Sequence, residues 1–330
     1  MARGGRRDEM TRESQVSRKV SWLLRHGAES EGLKLGKGGY VGVADALNTK
    51  ALKSLKVTFP ELKQVVADND KQRFSMIPVS KTAASASSAQ QGEAIAEAEA
   101  EISQENLASI PESADPADYL IRANQGHSIK VGTEGLLTPL TLTPSSSSPP
   151  IPEIVVHGTD ARSWNLILKS GGMRKMGRTH MHFASGLPAG FKTVDSSSAD
   201  TQDAPLVISG MRNSSSILIY IDIQKALKAG IEWFVSENGV ILTAGNEDGL
   251  LGCEFFERVE LRKKEGGQVL MRDGVVPEGT VVDVEGWEKE VAGSGKGKGK
   301  RGGRGGGRGR GDRGGKARVN DDSADLMAGV

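Results

Sequence analysis

A handful of short stretches in this chain carry side chains that hold anions or move protons. Arg25-His26 closes a run in which Val16, Val20, Leu23 and Leu24 recur at helical spacing. A guanidinium offers a planar fork that matches phosphate oxygens, and an imidazole beside it can donate as well. The same pair also reads as cations complementing the negative end of a helix dipole. Arg73 opens the alternating segment Arg73-Phe74-Ser75-Met76-Ile77, where it is either a solvated edge charge or a further contact to an anion. Gln125-Gly126-His127-Ser128 is a polar turn with several donors able to hold an anion, although turns often have this composition. His157-Gly158-Thr159 puts a donor and an unhindered backbone directly after an apolar, strand-like stretch. Arg178, close to His180 and His182, suits phosphate or a metal, and metal is the weaker reading because no neighbouring carboxylate or cysteine completes a ligand set. No Ser-His-Asp arrangement and no pair of carboxylates stands out. Cationic and neutral donors without an obvious general base suit a reaction whose nucleophile is already an anion, such as a phosphate.

Two lobes are needed to position these residues. Over 14–78 the pattern is compact and mostly helical, with Gly27 as the expected C-cap of the first helix. A turn at Gly38-Gly39 leads into a short strand, and Asp45-Ala46-Leu47 fits a short helix. Thr58 and Glu61 form a capping-box pattern ahead of Leu62, Val65 and Val66, which predicts a helix to about Ala67. Helices closed by a small hairpin suggest a winged-helix-like module. Over 118–288 strands dominate. His180 to Ala184 reads as a strand with both histidines on one side. Ile217 to Ile223 is an apolar, β-branched run expected to be buried, with Asp222 on it in a structural role. Glu232 to Thr243 reads as a hairpin around Asn238-Gly239. Few helices separate these strands, so the expected class is α+β rather than a doubly wound sheet.

Composition separates the lobes from segments that cannot fold on their own. Residues 1–13 read as a flexible N-terminus and 79–117 as a low-complexity insert; 190–204 is a Ser-rich loop insert, and 289–330 a Gly/Arg/Lys-rich tail. Such compositions bury too little apolar surface to offset a chain entropy of ~1–2 kcal/mol per residue. The formal net charge of +1 conceals an asymmetry: residues 296–318 hold ten Lys and Arg against one acid, Asp312. The remainder is therefore acidic, so a local pocket or the tail must attract any polyanion. Gly309 to Gly314 matches G-x-G-x-x-G but lies inside that tail, with no strand before it and no helix after it, so it is no dinucleotide fingerprint. Cys253 is the only cysteine, which excludes an internal disulfide and a cysteine-based zinc site and fits a reducing compartment. No secretory signal or membrane span is evident. The expectation is an intracellular protein of the cytoplasm, the nucleus or both, without a membrane partner; nothing specifies an oligomer, and a monomer is expected.

Taken in order, the motifs resemble one family. Ser17–His26 (SRKVSWLLRH), Lys71–Phe74, Arg122–Ile129 (RANQGHSI), His157–Thr159, Ser170–His182 (SGGMRKMGRTHMH), Ser209–Arg212 with Ser214-Ser215, and Ser236–Thr243 (SENGVILT) are similar to the RNA 2′-phosphotransferase family. The resemblance spans roughly 14–77 and 119–260. It implies a winged-helix RNA lobe joined to an ADP-ribosyltransferase-like lobe that binds NAD, with no metal. It also implies a two-step reaction: an RNA 2′-phosphate, in spliced tRNA above all, attacks the nicotinamide-bearing carbon of NAD+ and nicotinamide leaves. The neighbouring ribose hydroxyl then attacks phosphorus, giving a 2′-hydroxyl RNA and ADP-ribose 1″,2″-cyclic phosphate.

Carried over residue by residue, the resemblance implies a catalytic set of Arg25, His26, Arg73 and Arg178. On the NAD side it implies His157, Gly158, Thr159 and His182, with Ser185, Gly186, Gly210 and Arg212 as further candidates. Arg122, Gln125, Gly126 and His127 are the implied donors to RNA or its phosphate. Val240 stands where many protein-modifying ADP-ribosyltransferases carry a glutamate, which fits an anionic nucleophile. The Arg-Gly tail is expected to add salt-sensitive RNA affinity or to serve in nuclear targeting. Two rivals share much of this pattern. One is a transferase that stops after ADP-ribosylating a nucleic-acid phosphate. The other is a protein that only binds RNA.

Overall fold

The computed structural model describes residues 11–69, 71–79, 114–143, 148–187, 211, 214–262, 267–275 and 278. The readings at 80–113, 190–204 and 289–330, and at Gly210 and Arg212, fall outside the described residues.

Helix α1 (Arg12–Trp22) starts where the Thr11 hydroxyl accepts from Ser14 N, and it runs into a π turn over Leu23–Gly27. Its buried stripe is the Val16, Val20, Leu23 and Leu24 series. Strand β1 (Val41–Gly42) and the short helices α2 (Val43–Asn48) and α3 (Lys50–Lys53) follow. Helix α4 (Phe59–Ala67) is capped by Thr58, whose hydroxyl accepts from Glu61 N. The Glu61 carboxylate closes the capping box by accepting from the Thr58 backbone N–H, and it also pairs with Arg12 at 2.7 Å, which ties α4 to α1. Strands β2 (Phe74–Pro78) and β3 (Tyr119–Ala123) complete a three-stranded antiparallel sheet in the order β1-β3-β2. Although β3 follows the boundary read at 118, it is the central strand of this sheet, and Ile121 and Ala123 belong to the same core as Val16, Leu24, Leu62 and Phe74. Backbone pairing at such sequence separation leaves no local periodicity to read.

Gly27 is not the C-cap. It sits inside the π turn, and a Cβ there would lie 2.5 Å from the Trp22 ring, so it is small to let the indole pack. The left-handed cap comes five residues later at Gly32 (φ 80°), after a 3-10 turn.

The second core is gathered by two four-stranded antiparallel sheets and a two-stranded one. Strands β4 (Leu137–Leu140), β9 (Trp233–Ser236), β10 (Ile241–Thr243) and β7 (Met181–Phe183) form one sheet in that order. Strands β13 (Gln268–Arg272), β12 (Phe256–Leu261), β8 (Ile217–Ile221) and β5 (Val156–Thr159) form another. β6 (Gly172–Arg174) pairs with β11 (Leu250–Gly252). Strand β8 is buried on both faces: Ile217, Ile219 and Ile221 join the main core, while Leu218 and Tyr220 pack with Val156 and Ala184. This is why its sequence shows no alternation.

Helix α5 (Ala161–Lys169) lays Trp164 and Ile167 on the core, and Asp160 caps it by accepting from Ser163 N at 2.8 Å. Asp222 is structural, as expected, but it is off the strand. It caps helix α6 (Ile223–Lys228), accepting from Lys225 N at 2.8 Å. The Asn238-Gly239 hairpin between β9 and β10 is present, with only Gly239 (φ 76°) left-handed. The chain is thus mixed α and β with several antiparallel sheets. Among the described residues no helix is long and apolar enough to cross a membrane.

Candidate active site

The π turn that ends α1 is where site and scaffold meet. A π bulge adds a residue to a helical turn and is frequent at functional positions. Here it carries Arg25, 1% exposed, and His26 on consecutive positions. The Arg25 carbonyl accepts from Ser128 N at 3.1 Å and from Ile129 N at 3.4 Å, which fastens the loop after β3 to the helix end. Ser128 Oγ lies 2.8 Å from His26 Nδ1 and fixes the ring plane. Gly126 has φ +89°, and a Cβ there would stand 3.3 Å from Arg25 Nε. A side chain at 126 would both strain the backbone and press on the guanidinium, so this glycine is required.

The loop before β7 closes the other side. The His127 carbonyl accepts from Thr179 N at 2.9 Å and Thr179 Oγ1 at 3.1 Å, so the segment bearing Arg178 is moored to the first lobe. Thr179 carries no signal of its own in the sequence. His157 Nδ1 donates to the His182 carbonyl at 2.9 Å. A carbonyl can only accept, so a proton sits on Nδ1; in the singly protonated tautomer this fixes, Nε2 is the acceptor. Gln125, Gly126, His127, Thr179, His180 and Leu242 line a small cavity between these segments.

The electrostatics of this junction have one sign. Burial first, then the charges of Arg25 and His26, push His127 down to about 3. Burial, Arg178 and Arg25 hold His182 well below the ordinary imidazole value. His180 is lowered by burial and by Lys175. Every charged group acting on His127 and His182 is a cation or another imidazole. These rings stay neutral while the arginines stay charged, so a dianion entering the junction would be stabilised without first neutralising a carboxylate. Among the described residues no group of three or more His, Cys, Asp or Glu is placed to hold a metal.

The sequence-predicted residues are distributed unevenly around this centre. Arg25, His26, Gln125, Gly126, His127, Arg178, His157 and His182 converge on it. Arg73 comes beside it through the backbone, its carbonyl accepting from Asn124 N at 2.9 Å, while its Nη1 donates to Asn69 Oδ1 at 3.1 Å. Ser185 and Gly186 follow the bridge between Ala184 and Val156, next to the strand bearing His157. Thr159 Oγ1 is buried without a hydrogen-bond partner among the described residues. Met211, between the two undescribed candidates, lies on Gly158: a Cβ at 158 would be 2.2 Å from Met211 Cγ.

Arg122, expected as an RNA or phosphate donor, is engaged within the protein. It is 6% exposed, stacks over the Tyr40 ring at 4.5 Å, and donates to the Gly38 and Gly135 carbonyls. Its Nη2 also pairs with Glu237 at 3.0 Å. These bonds join the two lobes.

An antiparallel α and β framework with a one-signed cluster of arginines and imidazoles at its lobe junction is the class that geometry defines. The sequence pattern of the RNA 2′-phosphotransferase, Tpt1 / KptA family matches residues 11–245. The tRNA 2′-phosphotransferase 1 of Danio rerio is 35% identical over 261 residues, which cover 78% of this chain and 90% of the relative. The tRNA 2′-phosphotransferase 1 of Homo sapiens is 34% identical, covering 79% and 81%. The tRNA 2′-phosphotransferase of Saccharomyces cerevisiae is 30% identical, covering 71% and 79%. The chain belongs to the RNA 2′-phosphotransferase, Tpt1 / KptA family.

Proposed function

We propose that this chain removes an internal 2′-phosphate from RNA, spliced tRNA first among candidates, and transfers it to NAD+. The observation that carries the reading is the one-signed environment of His127 and His182, with Arg25 and Arg178 contributed from opposite sides of the junction. In this reading helices α1–α4 and their sheet act as a winged-helix-like RNA lobe, and the strand-rich remainder as an ADP-ribosyltransferase-like lobe. The residues present suit a dinucleotide. His157 offers a bare Nε2 to a hydroxyl, Thr159 has a buried hydroxyl to satisfy, and Gly158 gives close backbone access once Met211 moves aside.

The RNA 2′-phosphate, held by Arg25, Arg73 and Arg178, attacks the sugar carbon bearing nicotinamide. The carbon–nitrogen bond breaks, and nicotinamide leaves with the electron pair. The adjacent sugar hydroxyl next attacks phosphorus and gives up its proton as the bond to the RNA 2′-oxygen breaks. That oxygen takes up a proton and leaves as the RNA hydroxyl. The arginines stabilise the charge on the phosphoryl oxygens through both steps, and His26 handles the proton of the second. ADP-ribose 1″,2″-cyclic phosphate is the second product.

The test uses the full chain and a short RNA bearing one internal 2′-phosphate, with NAD+ present or omitted, resolved by mass spectrometry. NAD-dependent appearance of 2′-hydroxyl RNA with the cyclic phosphate supports the reading. RNA that only gains ADP-ribose replaces it with a one-step transferase. Unchanged RNA that binds tightly replaces it with a binding protein.

A further inference from the structure

We propose that the tip of the β9–β10 hairpin positions Arg73 across the lobe junction, through Asn238 and Glu237. The inference rests on the catalytic role proposed above for Arg73.

The turn that presents Arg73 is not one the chain would adopt alone. Gln72 has φ +42°, a left-handed conformation that a side chain with a Cβ disfavours. Such a residue persists only where its surroundings over-determine it. Three buried asparagines do so here. Asn69 begins the turn, its carbonyl accepting from Gln72 N at 2.7 Å and its side chain from Lys71 N at 3.1 Å. Asn124, at the end of β3, donates from Nδ2 to the Gln72 carbonyl at 2.9 Å. Asn238, from the other lobe, donates from Nδ2 to the Lys71 carbonyl at 2.9 Å.

Asn238 is itself held, its Oδ1 accepting from Ser236 Oγ at 2.7 Å. One residue before it, Glu237 accepts from Ser75 Oγ and from Arg122 Nη2, at 3.0 Å for the latter. The hairpin therefore grips the segment on both sides of Arg73, at Lys71 and at Ser75. If the lobes separated, two of the contacts that define the Arg73 backbone would be lost, and the guanidinium would lose its aim while Arg25 kept its own. Asn238 and Glu237 are positioning residues in this scheme; they touch no substrate.

The experiment compares full-length wild type with Asn238→Asp and Glu237→Gln. The aspartate keeps the acceptor for Ser236, removes the donor to Lys71 and sets a repelling oxygen against that carbonyl. Glu237→Gln, at a half-exposed position, serves if the first variant fails to fold. Two readouts are taken: amide hydrogen exchange in the peptide spanning 71–74, and kcat and KM for NAD+ on 2′-phosphorylated RNA. Faster exchange at 71–74 is expected, with kcat lower by roughly ten-fold from misplacement of one group and KM for NAD+ unchanged. In an Arg73→Lys background the same substitution should cost almost nothing further. Unaltered exchange, or faster exchange with full kcat, overturns the proposal, as does a matching rise in KM. A wild-type chain that leaves the RNA unchanged sinks the functional reading instead, and the exchange arm still decides whether the hairpin holds the turn.

Discussion

Two arginine sites in this molecule solve the same electrostatic problem in opposite ways. On the sheet of β5, β8, β12 and β13, Arg258 Nε pairs with Glu260 at 2.8 Å, Glu260 is 1% exposed, and the guanidinium stacks over Tyr220 at 4.5 Å. Burial and Glu260 push the Tyr220 hydroxyl up while Arg258 pulls it down, so the local charges oppose one another. At the lobe junction the charges of Arg25, His26 and Arg178 all push the neighbouring imidazoles in one direction. A balanced network is complete as it stands. A one-signed cluster leaves its charge to be balanced by an incoming anion, which under the proposed function is the RNA 2′-phosphate.

This contrast predicts that the two sites fail differently. Glu260→Ala should remove the buried carboxylate that pairs with the partly buried Arg258 and cost ~1.5–3 kcal/mol of stability, read from denaturant unfolding. Turnover per folded molecule should be preserved; a specific loss of activity at full stability would erase the distinction. Arg178→Ala should do the reverse. We expect kcat to fall by ~10²–10³-fold, the scale of one charge-stabilising donor, with thermal unfolding nearly unchanged. Product analysis should show stalled, ADP-ribosylated RNA or no reaction, and full turnover would remove Arg178 from the mechanism.

A smaller effect concerns pH. His127 has a folded-state pKa near 3 against an ordinary 6.5, so the unfolded chain binds the extra proton between those values. Stability is intact above about 6.5 and declines as pH falls toward 3, by at most ~1.4 kcal/mol per pH unit for each such histidine. His182 adds to the same limb. His127→Gln should flatten the acid limb of melting temperature against pH, and an unaltered profile would show that His127 is not the group responsible. The least effect is expected from Met211→Ala, which uncovers Gly158. KM for NAD+ should fall about two- to five-fold, equivalent to under ~1 kcal/mol; a rise would mean that Met211 contacts the ligand favourably.

Much of this is legible in the residues alone. The Val16 to Leu24 stripe, the Thr58 cap and the Asn238-Gly239 hairpin are local patterns, and local patterns survive folding. Gly27 looks like a cap because it is a glycine after an apolar stripe, whereas its reason is the Trp22 ring over it. The catalytic candidates were visible as residue types, but the roles of Asn124, Thr179 and Glu237 were not. Each acts through a contact to a distant segment, and a lone polar residue carries no mark of its partner. Arg122 shows the converse: a cation flanked by site residues whose bonds go to Glu237 and to backbone carbonyls.

The central place of β3 bears on how the chain reaches this structure at all. Strands β1 and β2 do not pair with each other; both pair with β3, which lies beyond residues 80–113. A ribosome that has released only the first 79 residues has delivered the helices and two strands with no common partner. The first lobe is thus discontinuous in synthesis, and its core closes only when Ile121 and Ala123 arrive. Arg25 acquires its neighbours at that moment too, because the loop that packs against it is the next to emerge. Assembly of the cationic cluster is therefore timed to the closing of the sheet.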